Sequence, residues 1–317
     1  MITRRTASRH SINALTGVLT ALVILIFFVG PVAFLVAYSV YHYDPLTVFR
    51  PGFTGTNYWD LFSVKYNREV LIRTYLLAAS ATVIVLVVGF AIASYMRQAR
   101  STERAIIILI LLIPILMTDV VLGYSWIVIL SPNNGVLSNT LNDLGIIHGS
   151  LGLVGSDWGV LVGLVYLGMG FMVTNLYAAL DSLGDTELRA AAILGAGPFT
   201  RFRRVTLPLS MPGVISGCLV TFAATSSAFV IPLMIGRGTA TVLSVFIYNN
   251  NTYSLNWPLG AAGAVVLLIV SLGTSWSLIS IGARPQRRRE RRSRTEGATA
   301  TAEHAARPRA RDRLAAR

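Results

Sequence analysis

LGDTELRAAAILGAGPFTRFRRVTLP, residues Leu183 to Pro208, is the one long charge-bearing interruption in the second half of an otherwise apolar chain. An alanine-rich run from Glu187 to Leu194 meets a break at Gly195-Ala196-Gly197-Pro198. A basic segment (Arg201, Arg203, Arg204) then leads to Leu207-Pro208. Alanine and leucine favour helix, glycine ends one, and proline is tolerated in the first turn of the next. The stretch predicts a helix–turn–helix outside a membrane, between two spans.

Composition supports the membrane. Of 317 residues, 54% are hydrophobic and 13% charged, well below the roughly 25% charge of soluble domains, and mean hydropathy is +0.62. The length suits about six spans of ~20 residues with their connections. The net charge of +13 does not point to nucleic acid, because residues 284–317 hold twelve arginines against Glu290, Glu296, Glu303 and Asp312. Cys218 is the only cysteine, which excludes an intrachain disulfide, and the four histidines are too scattered for a metal site. The single lysine, Lys65, follows Val64, so there is no Gly-Lys-Ser/Thr phosphate loop. No cofactor is expected on this chain. If ATP and Mg drive it, another polypeptide binds them.

Working outward from the hairpin, the apolar runs place six spans at about 14–41, 70–96, 105–130, 158–180, 213–235 and 258–282. They form one domain over 14–283, preceded by a short basic segment, 1–13. The first run is too long for the 7–15-residue core of a signal peptide, and Pro31 predicts a kink in it. The connections 42–68, 131–157 and 236–257 are mixed or polar, and the second should hold a short amphipathic helix around 136–144. Gly159/Gly163 and Gly213/Gly217 are small residues four apart, which permit close helix contact. The tail 284–317 has no apolar periodicity and reads as disordered. Its basic cluster is suited to anionic lipid headgroups or simply to fixing topology.

Cytoplasmic loops are enriched in Lys and Arg. Placing both termini in the cytoplasm puts 22 of the 27 basic residues there: three at the N-terminus, three at 97–104, four in the hairpin and twelve in the tail. Five remain outside (Arg50, Lys65, Arg68, Arg73, Arg237). The hairpin is thereby assigned to the cytoplasm.

With that placement the hairpin resembles the cytoplasmic loop of ABC-importer permeases, whose pattern is Glu-Ala-Ala, three residues, Gly, nine residues, Ile, any residue, Leu-Pro. Ala190, Ala191, Gly195, Val205, Leu207 and Pro208 fall at those spacings. One position departs: Arg189 stands where the family has Glu, with Glu187 two residues earlier. The similarity extends over residues 15–283 and is nearest to spermidine/putrescine-type importers. It is carried by Val88-Gly89-Phe90, Ser94-Tyr95, Asn134-Gly135-Val136-Leu137, Phe229-Val230-Ile231-Pro232 and Trp257-Pro258-Leu259-Gly260-Ala261-Ala262. Relatives often carry Arg before a Tyr-x-Trp pair; here Leu122 precedes Tyr124 and Trp126, which weakens the transfer of substrate identity.

The resemblance implies an all-α type I importer permease with six transmembrane helices and a cytoplasmic coupling helix–turn–helix between spans 4 and 5. It implies a bacterial-type inner membrane, a second and non-identical permease subunit, two ATP-binding subunits and an external solute-binding protein. Coupling would fall to Glu187, Arg189, Ala190, Ala191, Gly195, Leu207 and Pro208, docked in a groove of the ATPase. The solute would be a polyamine such as spermidine or putrescine. Thiamine, phosphonate or opine importers of the same architecture stay open, as does an autonomous secondary carrier, which would need ion sites and broken helices. No residue constellation supports a membrane enzyme.

For the translocation path, Asp119 is the one carboxylate well inside an expected span. Intramembrane ionisable residues are functional candidates by default, and an acid there suits a cationic solute, with a structural hydrogen bond to the partner subunit as the equal alternative. Tyr124, Trp126, Asn175 and Phe229 are further candidates, to be weighed against interface aromatics and core polar residues.

Overall fold

A computed structural model describes residues 17, 19–50, 52–132, 135–146, 149, 151–183 and 197–280. The segment 1–13, the tail 284–317 and the hairpin positions Glu187, Arg189, Ala190, Ala191 and Gly195 lie outside the described residues.

Among the described residues the protein is a helical bundle. Helix α1 (Leu19–Ser39) is followed by an antiparallel hairpin of β1 (His42–Asp44) and β2 (Val48–Arg50), then α2 (Thr56–Ser63) and the long α3 (Lys65–Gln98). After it come α4 (Ser101–Leu116), α5 (Asp119–Leu130), α6 (Val136–Asp143), α7 (Asp157–Asp181), α8 (Phe199–Ser227), α9 (Val230–Gly236), α10 (Leu243–Thr252) and α11 (Trp257–Ser280). Helices α1, α3, α7, α8 and α11 are long and apolar enough to cross a membrane, and the bent pair α4–α5, counted as one, is a sixth. The described residues of the connections 42–63, 131–156 and 237–256 share one end of the bundle, the loop end. The opposite hairpin end carries 97–101, Leu183 and Gly197.

Helix α7 is the centre, packed against α3, α8, α4 and α9. One apolar cluster near the loop end joins Leu77, Leu130, Leu161, Leu164, Ile231 and Ile235. A second, near the hairpin end, joins Phe90, Met96, Met172, Leu176, Leu180 and Cys218. Close approach depends on the expected glycines: a methyl at Gly213 would overlap that of Ala179, and one at Gly163 would sit 2.6 Å from Ile231.

Four expectations need correction. The third span is not one continuous helix over 105–130, because α4 and α5 meet at a 106° bend. Pro114 lies in the last turn of α4 and has no N–H for the carbonyl of Ile110, so the helix ends soon after it. The fifth span is not 213–235 either. Helix α8 starts at Phe199, so the basic segment expected as a separate second helix of the hairpin continues into the span through a π-helical stretch, Phe202–Thr206. That span then breaks at Ala228-Phe229 before α9. The connection 236–257 contains α10, not only polar loop. The first helix runs unbroken from Leu19 to Ser39 through Pro31, where a kink is expected, with a π-helical stretch, Leu25–Val29, just before Gly30-Pro31. Helix α6 forms where the amphipathic pattern places it.

The β-hairpin at the loop end is organised by Asp44, whose carboxylate accepts from the Leu46 amide (3.0 Å), the Thr47 hydroxyl (2.9 Å) and the Arg50 guanidinium. The backbone bond from Leu46, then that from Thr47, hold its carboxyl below the usual value of 3.8, with Arg50 adding to them against partial desolvation. A folded-state value below the unfolded one means stabilisation that is complete above about pH 4 and is lost as pH falls through the lowered value. Amide protection across 42–50, corrected for the intrinsic pH dependence of exchange, is therefore expected to fall as pH drops below about 4, and Asp44→Asn is expected to remove that dependence. An identical pH response in the variant would refute the assignment.

Candidate functional site

The half-helices that follow the two breaks in the spans lie side by side in the fold. Helices α5 and α9, each the second half of an interrupted span, pack against one another, and Gly123 of α5 leaves room for Met234 of α9. Non-helical backbone at membrane depth persists only where protein buries it or a wet cavity receives it. At the second break the Ala228 carbonyl accepts from Ser244 Oγ of α10 at 2.6 Å, so α10 satisfies part of the interruption.

Asp119 opens α5 at the first break. It is not deep inside a continuous span, as the sequence suggests, but in the first turn of a half-helix, and its side chain is exposed. The amide dipoles of that turn favour a carboxylate, which lowers the cost of keeping a charge there. Tyr124 is also exposed, and with Val120, Val121, Ser125, Val128 and Ile129 it lines an open groove of about 480 Å³ along α5. Asp119 and Tyr124 are thus both exposed on one short helix whose other side packs on α9 and α7.

The other three path candidates separate. Trp126 turns inward and meets Tyr166 of α7 edge-on, ring centroids 5.5 Å apart, against the loop-end cluster. Asn175 donates from Nδ2 to the Phe171 carbonyl on its own helix (2.8 Å), and its backbone faces Gly213, so it belongs to the α7–α8 contact. Phe229 sits at the second break with its ring tilted against Tyr248 at 5.0 Å. Ser244 and Tyr248 were not singled out by sequence reasoning, since α10 reads there as polar connection. Leu122, which precedes the Tyr124/Trp126 pair, is buried.

At the hairpin end Leu207 is half-buried and packs, with Leu183, on the cluster that contains Phe90, Met96 and Leu180. Pro208 follows it in the first turn of the helical segment Leu207–Ser227. Here the two flanks of the opening stretch return to the same patch of core.

Residues 85–284 match the family model described as "binding-protein-dependent transport system inner membrane component". The chain belongs to this family. Similar permeases include the spermidine/putrescine transport system permease protein PotB of Haemophilus influenzae, 31% identical over 247 residues, covering 78% of this chain and 86% of that one. PotB of Escherichia coli is 30% identical over 227 residues, 72% of this chain and 82% of that one. Among solved structures, a chain of a bacterial ABC transporter involved in the import of the acidic polysaccharide alginate superposes with a TM-score of 0.72 at 17% identity, covering 88% of this chain and 98% of that one. The last likeness concerns the fold alone. This permease is a multi-pass membrane subunit of a binding-protein-dependent ABC importer, and its family role is transport, not catalysis.

Proposed function

We propose that this permease forms half of the translocation path for a polyamine of the spermidine/putrescine class. The observation that carries the reading is its similarity to permeases named for those solutes over most of both chains. The uncovered carboxylate of Asp119 at a helix break adds chemical support, because a multivalent ammonium ion needs an anionic contact along an otherwise apolar route. In this reading both termini face the cytoplasm, in keeping with the distribution of basic residues. A second, non-identical permease completes the path, and two ATP-binding subunits hold ATP and Mg, since this sequence lacks a phosphate loop. An external binding protein delivers the solute at the loop end. The stretch 183–208 couples the permease to one ATPase.

Purification from native membranes with labelled spermidine as the probe tests this. An ATPase subunit should accompany the permease, and uptake into proteoliposomes should require both the ATPase and the binding protein. Asp119→Asn is expected to raise the KM for spermidine about tenfold, the scale of one lost hydrogen bond to a charged group. Unchanged uptake would remove Asp119 from the path, and uptake without an ATPase would overturn the importer reading for this chain.

A further inference from the structure

The hairpin is fastened at both ends to a single helix. Where it begins, Arg97 in the last turn of α3 donates from Nη2 to the carbonyl of Leu183 at 2.8 Å, across 86 positions of sequence. Leu183 lies just past the end of α7, where free carbonyls carry partial negative charge that a guanidinium complements. Where the hairpin ends, Phe202 meets Phe90 of α3 edge-on, ring centroids 5.1 Å apart at 86°. Phe90 is buried, and Phe202 opens the π-helical stretch of α8, a kind of distortion that often marks functional sites. Arg97 and Phe90 are seven residues apart, about 10 Å along one helix.

The same helix is tied at its other end. Arg73 Nε of α3 pairs with Asp157 Oδ1 of α7 at 3.0 Å, and Thr74 Oγ1 accepts from the amide of Leu243, the first residue of α10, at 2.7 Å. Helix α10 in turn supplies Ser244 to the carbonyl at the second break. A continuous series of packed and hydrogen-bonded contacts therefore runs from the hairpin flanks, along α3, to the interrupted helices.

We propose that Arg97 and Phe90 are positioning residues for coupling. They clamp the entry and exit of the hairpin to α3, so that displacement of the hairpin moves α3 as a lever instead of flexing the connections beside it. The proposal rests on the reading that the hairpin docks on an ATPase. It adds the route by which the displacement reaches the α5–α9 pair.

The test uses the whole importer in proteoliposomes and reads spermidine taken up per ATP hydrolysed. Substitutions along coupling networks change coupling by roughly 2- to 30-fold. Arg97→Gln is expected to lower the ratio at least about threefold within that range, while the ATPase still co-purifies. Arg97→Lys, which restores one cationic donor to the Leu183 carbonyl, is expected to recover most of it. Phe90→Leu and Phe202→Leu should each lower the ratio, and together should do no more than either alone, since both break one contact. An unchanged ratio in Arg97→Gln overturns the clamp. So does equal failure of the Gln and Lys variants with a matching fall in thermal stability, which would make Arg97 only a structural cap. If Gly195→Asp uncouples while Arg97→Gln does not, the clamp fails and the docking reading stands. If Gly195→Asp transports normally, the docking reading itself fails.

Discussion

Gly213→Val is expected to be among the most damaging single changes in the membrane domain, and even Gly213→Ala should lower the thermal midpoint of the purified permease by several degrees. The cause is the approach of α8 to α7. A Cβ at Gly213 would overlap the Ala179 methyl and lie 3.0 Å from the carbonyl of Asn175, a backbone atom that cannot turn aside. Relief requires the two helices to separate, which would also disturb the neighbouring contact of Gly217 with Met172. Overpacking of a well-filled core costs about 1–3 kcal/mol for modest insertions, and the branched valine should exceed the alanine. Gly273 of α11 is the control. A Cβ there meets nothing within 4 Å, so Gly273→Ala should be neutral or mildly stabilising through helix propensity. Detergent melting curves for the three variants check the ranking. Equal midpoints for Gly213→Ala and Gly273→Ala would refute the packing argument.

That contact also shows what the sequence can and cannot disclose. The six-span plan is legible because apolar length is a property of composition, and the small-residue pairs at 159/163 and 213/217 are legible because only glycine lets helices come so near. Direction is harder to read. An apolar window treats 105–130 as one span, although Pro114 followed by Thr118-Asp119 contains both a helix stop and an acidic start. The second break, at Ala228-Phe229, has no glycine, but Pro232, four residues on, has no N–H for the Ala228 carbonyl, which accepts from Ser244 Oγ instead. Facing is harder still. Helix α5 and the Leu207–Ser227 part of α8 are apolar without an amphipathic stripe, and such a helix does not say which side meets the core. Trp126 and Tyr124 are two positions apart and look equivalent in sequence, yet one packs on Tyr166 and the other is uncovered.

The largest functional effect is expected at Gly195. Its neighbours Ala190 and Ala191 carry small side chains, which suits a surface that must fit closely into a groove. Gly195→Asp would introduce both bulk and a charge at that fit. A carboxylate left without a partner in a desolvated contact costs about 3–5 kcal/mol, enough to reduce the docked population more than a hundredfold. In the proposed assembly a second permease would retain its own contact with the ATPase pair, so assembly should survive while coupling through this subunit does not. The expected outcome is an ATPase that co-purifies and hydrolyses ATP, with spermidine uptake near background. Arg189 supplies an internal comparison. It stands where the family pattern has an acid, so Arg189→Glu should be damaging only if the facing groove has acquired a complementary acidic residue. A charge reversal on the ATPase should then restore uptake in Arg189→Glu but not in Gly195→Asp, where shape as well as charge is lost. Normal transport by Gly195→Asp would sink the docking model for the whole 183–208 stretch. Uncoupling at Gly195 together with uncoupling at Arg97 would place the hairpin's tip and its root on one mechanical route, with α3 as the element that carries the motion.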